Sequence, residues 1–550
     1  MLFKRLLLGA ATAALALAPL SASARDVEAT EQAGPRLVVT VVVDQFSSNL
    51  FNQYRRHFTG GFKRLMDEGL VHANGFQTHG VTETCPGHST VLTGMHPTHT
   101  GIGVNYSVDD ETGEGRYCLA SKVNTLAHGA VTDNGNVGTE LLKVDTVGDW
   151  LQAQRPGSRV MAVSGKDRGA MNLAGHNGQA FWFTDGFGLT TYVKPGETPQ
   201  QRLSVVERFN QSYPAAENGQ RWKGDIAKCQ ALAENIEVVD GTFASQVPPA
   251  QVKFAASPLY DEETVRAAIY LLDTQNLGNG PDTDMLGVSL SGTDIIGHTY
   301  GTQGPEMCEQ LMRLDAALGV LLDRLDKVEG GVILSLTADH GGSDINERTH
   351  NRGFPYAGRA HLAIINEANA VLRQQFNLNF DPLQRGSSGI RIVDAEKRAL
   401  PEPLRSNIAH AALPLLDGKG DYANVYFRDD LIKDEIADSL HPQQLTVRQR
   451  MRLSAVEGVS ADLMTALKPG MATGGRLGSN LSAHGQPWDY DRGVPIIFWT
   501  PNAQGQERFM PVRTIDIAPT IANIIGVETP QLDGRCIDLG LGESPACSND

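Results

Sequence analysis

Several features that are common in other protein classes are missing from this sequence of 550 residues. Beyond the first 20 residues no apolar run approaches the length of a membrane span, so we expect no stable membrane insertion. No Cys-x-x-Cys pair occurs, which leaves no cysteine knuckle for a metal ion. Positive charge is scarce, since the formal net charge is −16, and this argues against nucleic acid as a partner.

The first 24 residues have the pattern of a secretory signal peptide. Lys4 and Arg5 precede an apolar run from Leu6 to Leu20, and Ala22 and Ala24 form an A-x-A cleavage site. A short membrane anchor is the alternative, but the run is too short to span a bilayer comfortably. We therefore expect cleavage after Ala24, which removes Lys4 and Arg5 and changes the formal charge from −16 to −18. The mature protein is expected in the periplasm or outside the cell.

An even number of cysteines in an exported chain makes disulfides plausible, although six cysteines permit 15 complete pairings. A bond between Cys536 and Cys547 is favoured because it closes a short C-terminal loop. The other two predicted bonds join Cys85 to Cys118 and Cys229 to Cys308.

Apolar runs that alternate with helical patterns predict an α/β fold. The predicted buried strands are Leu37–Val43, Arg159–Ser164, Met285–Leu290, Val332–Thr337 and Val494–Trp499. The predicted helices include Phe62–Glu68, Thr146–Gln154, Glu262–Leu272 and a leucine-striped helix around 311–325. This order is typical of a doubly wound, mostly parallel sheet with helices on both faces.

Two segments interrupt the alternation. The pattern changes at about 173–257, where a hairpin around Gly186-Phe187-Gly188 is followed by polar helical sequence, and again at about 346–470, which is rich in loops and charged helices. We interpret both segments as inserted cap regions, the first of them covering the site. Residues 25–550 are therefore predicted to form one catalytic domain with two insertions.

Charged side chains follow the apolar strands at the edge where parallel strands end. They are Asp44, Lys166, Arg168, Asp294, His298, Asp339 and His340. Open α/β sheets bind ligands outside the carboxyl ends of their strands. We therefore expect these side chains to meet at one site, together with His484 from a later glycine-rich segment.

The acids and histidines of this group match the ligands that zinc prefers. Asp294 and His298 stand four residues apart, so that one helical turn lets both reach one ion. Asp339-His340 is followed by two glycines, which allow the backbone to turn sharply at a metal. A capping aspartate with a surface histidine is the alternative for each pair taken alone, and His484 alone would be an ordinary loop histidine.

Thr84 opens a predicted helix in the sequence Thr84-Cys85-Pro86-Gly87-His88. An ordinary N-cap is one interpretation of this threonine. The other is a nucleophile, because zinc and the free N–H groups at a helix N-terminus both stabilise an alkoxide. Asn105 is then placed to donate to a phosphoryl oxygen, while Lys166 and Arg168 neutralise its charge. A solvated basic pair is the alternative for the last two.

At these positions the sequence resembles the alkaline phosphatase superfamily. The shared motifs are Thr84-Cys85-Pro86-Gly87-His88, Asp294-x-x-x-His298, Asp339-His340-Gly341, His484-Gly485 and the closing Asp516-Ile517-Ala518-Pro519-Thr520. The resemblance covers about residues 36–535 and is to exported bacterial alkaline phosphatases with a threonine nucleophile. Nucleotide pyrophosphatases and phosphodiesterases are the near relatives.

The resemblance implies two zinc ions and assigns their ligands. Asp294, His298 and His484 would hold one ion. The other would be held by Asp44, Asp339, His340 and the hydroxyl of Thr84. Whether a third zinc ion or a calcium ion binds is left open.

The resemblance also implies a zinc-dependent alkaline phosphatase that hydrolyses phosphate monoesters through a phosphothreonine at Thr84. Asn105, Lys166 and Arg168 match the set that the monoesterases carry. A phosphodiesterase or nucleotide pyrophosphatase on the same metals is one alternative. A non-catalytic exported module that binds metal or phosphate is another. The expected partners are small-molecule phosphate esters, with no nucleic acid, and we expect a monomer.

Overall fold

The apolar run Leu37–Val43 forms a strand whose seven residues are all buried, at the middle of a large sheet. The protein is described by a computed structural model that covers residues 34–550, apart from 129–133, 185–187, 214–220, 387, 438–439, 479, 542–545 and 548–550. The predicted signal peptide therefore lies outside the described residues, as do Gly186 and Phe187 of the predicted hairpin.

The large sheet has ten strands. They are β1 (Leu37–Val43), β2 (Gly69–Phe76), β3 (Val160–Ser164), β4 (Gln179–Thr184), β5 (Gly188–Thr190), β6 (Asp284–Leu290), β7 (Val332–Thr337), β8 (Gly493–Trp499), β9 (Gln506–Arg508) and β10 (Val512–Arg513). Their order is β9-β2-β8-β7-β1-β6-β3-β4-β5, and β10 also pairs with β2. Strands β7, β1, β6, β3 and β4 are parallel, whereas β8 runs antiparallel to both of its neighbours. The predicted fold class, a mostly parallel α/β sheet, is confirmed.

Among the described residues outside the two inserted segments, nine helices pack in the two cores of this sheet. They are α1 (Ser48–Tyr54), α2 (Gly61–Glu68), α3 (Thr84–Val91), α4 (Val147–Gln154), α5 (Asp167–Ala174), α6 (Pro258–Thr274), α7 (Gly292–Tyr300), α8 (Pro305–Leu325) and α9 (Ile517–Ile525). Helix α6 begins four residues before its predicted start, because Pro258 is favourable in the first helical turn.

The two faces of the sheet carry separate apolar cores. Val39, Val41 and Val43 of β1 pack in one core with α1, α2, α6, α7 and α8, whereas Val38 and Val42 pack in the other with α3, α4, α5 and α9. Successive side chains of a strand point to opposite faces, so an unbroken apolar run can serve both cores. Helices therefore cover both faces of the sheet.

The first inserted segment contains the β4–β5 hairpin and a second antiparallel hairpin, Glu234–Val238 with Gly241–Ser245. Short helices lie between them at Pro199–Leu203, Glu207–Gln211 and Ala227–Gln230. A disulfide from Cys229 to Cys308 ties this segment to α8.

The second inserted segment contains an element that the sequence pattern did not predict, a four-stranded antiparallel sheet. Its strands, in spatial order, are Leu383–Arg385, Gly389–Ile392, Leu463–Leu467 and Tyr422–Phe427. Helices Ile364–Phe376 and Leu404–Leu416 cover it and build a core of its own. The strands are only three to six residues long, too short for their alternation to stand out.

The remaining short strands pair as Tyr106–Val108 with Gly115–Tyr117, Thr125–Leu126 with Tyr192–Val193, and Gly358–Arg359 with Met471–Ala472. All three predicted disulfides are present. Within the described ranges, no helix is both long enough and apolar enough to cross a bilayer.

Candidate active site

Helix α3 begins at Thr84, and the residue at its N-cap is Glu83. The interpretation of Thr84 as an ordinary N-cap is therefore wrong, since Thr84 occupies the first helical position and is buried. Gly87 in the first turn lies against the end of β7, where a Cβ atom would approach the backbone oxygen of Asp339 to 2.2 Å. Only glycine lets the helix N-terminus come this close to Asp339.

The first group of predicted ligands consists of Asp294, His298 and His484. Helix α7 places Asp294 and His298 one turn apart, with Nε2 of His298 lying 3.3 Å from Oδ1 of Asp294. Nε2 of His484 lies 3.4 Å from the same oxygen. The three side chains therefore offer ligand atoms close enough for one ion.

The second group consists of Asp44, Asp339 and His340, and all three are buried. Asp44 follows β1, and Asp339 with His340 follows the adjacent parallel strand β7. Nε2 of His340 lies 3.5 Å from Oδ1 of Asp44 and 3.5 Å from Oδ2 of Asp339. The strand order of the sheet thus brings together ligands that are almost 300 positions apart in the chain.

The two groups adjoin each other. The imidazole rings of His340 and His484 stack with their centroids 3.8 Å apart. Nζ of Lys166 lies 2.6 Å from Asp44 and 2.5 Å from Asp294, one carboxylate of each group. Lys166 therefore reaches the centre of the predicted site, where it contacts both acids.

All three histidines are oriented by backbone carbonyl groups. Nδ1 of His298 bonds to Ser482 O at 2.8 Å, Nδ1 of His340 to Gly341 O at 2.9 Å, and Nδ1 of His484 to Thr82 O at 2.7 Å. A carbonyl oxygen only accepts, so each Nδ1 carries a proton and each Nε2 is the ring nitrogen that faces the acids. This is the arrangement by which proteins fix a histidine for metal binding.

Several atoms in the site are acceptors that lack a donor. Oδ1 of Asp44, Oδ1 of Asp294 and Nε2 of His340 are buried and have no hydrogen-bond partner in the described part of the chain. Nε2 of His298 and Nε2 of His484 lie 3.0 Å apart, which requires a proton or another positive charge between them. Buried acceptors that face one another are stabilised by a cation, and carboxylate with imidazole is a donor set that suits zinc. The residues present therefore fit a pair of metal ions.

The pKa values of Asp44 and His484 also indicate that the site favours a cation. Burial and the neighbouring carboxylates of Asp294 and Asp339 raise the pKa of Asp44 to about 6, although Lys166 and His340 oppose the shift. Burial would lower the pKa of His484, but the neighbouring carboxylate of Asp294 outweighs this effect and raises that pKa to about 9. The site thus accumulates negative charge and draws positive charge towards it.

Asn105 lies beside the turn that carries Thr84. Its Oδ1 accepts from the backbone N–H of Cys85 at 2.8 Å, and its own N–H donates to Oε2 of Glu83 at 2.6 Å. Because Oδ1 is engaged, the amide NH₂ is the group left to donate to a ligand.

Arg168 lies in the first turn of α5, directly after Lys166 and Asp167. Burial lowers its pKa, but the attraction of Tyr117, Asp167 and Asp44 outweighs the effect and raises it, so the guanidinium stays charged. Its Nε is buried without a partner among the described residues. The side chain is thus held near Asp44 with a donor still available.

Two residues beside Thr84 had no predicted role. His88 lies within the Thr84 motif, and its Nδ1 lies 3.0 Å from Thr84 O and 3.1 Å from Oδ2 of Asp339. Glu83 binds Asn105, as described, and its Oε1 accepts from Ser388 in the second insertion at 2.7 Å. No pattern in the sequence pointed to Glu83, because its two partners lie 22 and 305 positions away.

Comparison with known proteins identifies relatives of this chain. Residues 38–485 match the family described as type I phosphodiesterase / nucleotide pyrophosphatase. The chain is 35% identical to the alkaline phosphatase PhoK of a Sphingomonas species, over 96% of this chain and 94% of that protein. It is 36% identical to the alkaline phosphatase PhoD of Zymomonas mobilis, over 94% and 90% of the two chains. The predicted enzyme class, an alkaline phosphatase, is confirmed by these relatives.

Solved structures share the fold. The crystal structure of the wild-type alkaline phosphatase PafA superposes with a TM-score of 0.77 at 23% identity, covering 92% of this chain and 99% of that one. A murine ectonucleotide pyrophosphatase / phosphodiesterase 5 superposes with a TM-score of 0.51 at 14% identity, covering 90% and 97%. The chain therefore belongs to the type I phosphodiesterase / nucleotide pyrophosphatase family, within the alkaline phosphatase superfamily.

Proposed function

We propose that this enzyme is an exported, zinc-dependent phosphomonoesterase that uses Thr84 as its nucleophile. The observation that carries the proposal is the contact of one short turn with both ligand groups. Thr82 accepts a hydrogen bond from His484 of the first group, and Gly87 and His88 pack against Asp339 of the second. Thr84 lies between these contacts, at the N-terminus of α3.

Asp294, His298 and His484 would hold one zinc ion, and Asp44, Asp339, His340 and Thr84 the other. When bound, a pair of zinc ions stabilises negative charge on the attacking and leaving oxygens of a displacement at phosphorus. The Thr84 hydroxyl loses its proton to solvent and its oxygen attacks phosphorus. The bond from phosphorus to the leaving oxygen breaks, that oxygen takes up a proton from solvent to give the alcohol, and a phosphothreonine forms. Water then cleaves that ester, releases phosphate and restores Thr84.

Asn105, Lys166 and Arg168 are proposed to bind the phosphoryl oxygens. The free NH₂ of Asn105 is a neutral donor, whereas Lys166 and Arg168 supply two positive charges. A phosphate monoester carries one more negative charge than a diester and so gains more from these cations. This argument favours monoesters over diesters.

The experiment that tests the proposal combines metal analysis with hydrolysis of phenyl phosphate by the purified chain. We expect about two zinc ions per chain, alkaline activity, loss of activity on chelation and recovery with zinc. Metal bound without any turnover would instead support a non-catalytic metal- or phosphate-binding module.

The second candidate is a phosphodiesterase, which is favoured by the family model that matches residues 38–485. Both reactions use the same metals and nucleophile, so bound zinc does not separate them. The rates of hydrolysis of phenyl phosphate and of bis-phenyl phosphate distinguish the two reactions. A strong preference for the diester would replace our proposal with this one.

A further inference from the structure

A polar cavity adjoins the proposed catalytic centre. It has a volume of about 100 Å³ and is bordered by Glu83, directly before Thr84, and by His484 and Gly485. Its opposite wall comes from the second insertion, through Arg385 and Tyr422 among others. When Thr84 attacks phosphorus, the alcohol would depart next to this cavity. The cavity is therefore a candidate binding site for the organic part of the ester.

Arg385 is the only arginine or lysine among the described residues that line this cavity. It ends the strand Leu383–Arg385 and is exposed, and no carboxylate in the described part of the chain forms an ion pair with it. Most arginines of the second insertion are paired, as Arg391 is with Asp110 and Arg428 is with Asp429. Within the described ranges no side-chain hydrogen bond involves the Arg385 guanidinium either, so these donors are available to a ligand.

Two neighbours of Arg385 also line the cavity. Burial raises the pKa of the Tyr422 hydroxyl to about 12. The guanidinium of Arg385 is near enough to oppose this shift, but its effect is the smaller one. Tyr422 thus stays protonated and remains a donor at neutral and alkaline pH. Glu83 is the one carboxylate that lines the described cavity, and both of its oxygens already accept hydrogen bonds.

The loop that carries Arg385 is attached to the catalytic turn. Ser388 donates to Oε1 of Glu83 at 2.7 Å, and the backbone N–H of Gly386 bonds to Gly389 O at 2.8 Å. The bond from Ser388 joins this loop to the residue that precedes Thr84. The backbone that carries Arg385 is therefore anchored three residues away, next to the catalytic turn.

We propose that Arg385 forms a subsite for a second negatively charged group on the substrate, such as a carboxylate or another phosphate. This inference rests on the proposed phosphomonoesterase function and names a class of substrate for it. The preferred substrates are then phosphomonoesters whose alcohol part is itself anionic. Arg385 acts on binding of the alcohol part and not on the phosphoryl group.

The test compares phenyl phosphate, 4-carboxyphenyl phosphate and 4-carbamoylphenyl phosphate, the last being a neutral match in shape for the carboxylate. With Arg385→Ala we expect kcat/KM for the carboxylated ester to fall about fivefold, through a higher KM. For the two esters whose alcohol part is uncharged, kcat/KM should change less than about twofold. Arg385→Lys should keep most of the preference. Added salt should weaken the wild-type preference, because the cavity is open to solvent.

Two outcomes would overturn the subsite. Arg385→Ala could leave the preference for the carboxylated ester unchanged, or it could slow all three esters equally. The first result would make Arg385 an ordinary solvated residue, and the second would make its role structural. Failure of the proposed function would look different, because wild-type protein loaded with zinc would then hydrolyse none of the three esters.

Discussion

At the scale of single residues, Thr84 has the properties expected of a buried nucleophile. It is 1% exposed, and it lies at the N-terminus of a helix, the end whose dipole favours negative charge. Its neighbour His88 ties the Thr84 carbonyl to Asp339, so the turn is fixed relative to the proposed metal ligands.

Replacement of Thr84 tests the nucleophile directly. We expect Thr84→Ala to lower kcat for phenyl phosphate by at least about a thousandfold, because no oxygen is left to form the phosphoenzyme. Thr84→Ser should retain measurable turnover, since it keeps the hydroxyl. Acid quenching with radiolabelled substrate should trap phosphate on the wild-type chain and on Thr84→Ser, but not on Thr84→Ala. Undiminished turnover by Thr84→Ala would exclude this mechanism.

Replacement of Lys166 tests the proposed preference for monoesters. Its ammonium contacts Asp44 and Asp294 and is held at the centre of the site. We expect Lys166→Ala to lower kcat/KM for phenyl phosphate about a hundredfold and for bis-phenyl phosphate much less, because the dianion loses more. Lys63→Ala is the matched control, since Lys63 forms only an exposed pair with Asp67. Equal losses on both substrates would count against binding of the phosphoryl group by Lys166.

At the scale of structural elements, Asn105 is held by both its backbone and its side chain. Its N–H donates to Glu83, its carbonyl accepts from Cys118 N–H at 3.0 Å, and its Oδ1 accepts from Cys85 N–H. Cys85 and Cys118 are themselves joined by a disulfide. This bond therefore fixes the loop of Asn105 to the N-terminus of α3.

Removal of this disulfide should impair catalysis beyond its effect on stability. We expect Cys85→Ala with Cys118→Ala to lower kcat for phenyl phosphate about tenfold, because Asn105 loses its fixed position. Cys229→Ala with Cys308→Ala is the matched control, since that bond ties the first insertion to α8. Both double variants should lose about 2–4 kcal/mol of stability, measured by denaturant unfolding. Equal kcat values at a temperature where both are folded would contradict a role in positioning Asn105.

Elements with a strong local pattern were predictable from the sequence. The apolar run of β1 and the four-residue spacing of Asp294 and His298 each specify structure over a few residues. Glu83 was not predictable, because its role depends on Asn105 and Ser388 meeting it in space. The small antiparallel sheet was missed for a related reason, since its short strands are defined by their partners and not by their own sequence.

At the scale of the whole molecule, the parallel sheet creates the site. Asp44 and Asp339 follow the neighbouring strands β1 and β7, and Asp294 follows β6 on the other side of β1. The order of the strands could not be derived from the residues alone. The convergence at the carboxyl edge could be predicted, because it follows from parallel pairing whatever the order of the strands.

Metal binding should therefore couple to the stability of the entire fold, and pH should govern this coupling. Without metal, Asp44 has a pKa of about 6, above its ordinary value, so its contribution to stability falls as pH rises towards 6. The pKa of His484 is also raised, to about 9, so the stabilisation that its protonated form provides is lost as pH rises through 9. Both shifts weaken the metal-free fold as pH increases, and both protons compete with zinc.

The difference in Tm between the zinc-loaded and the chelated protein is consequently expected to grow from about pH 5 to about pH 9. Differential scanning calorimetry across this range measures it, and calorimetric titration of zinc in buffers of different ionisation enthalpy counts the protons released. His484→Gln is the control, because it removes one titrating ligand and should flatten the upper half of the profile. A Tm difference that is constant or falls with pH would show that zinc does not bind at Asp44 and His484.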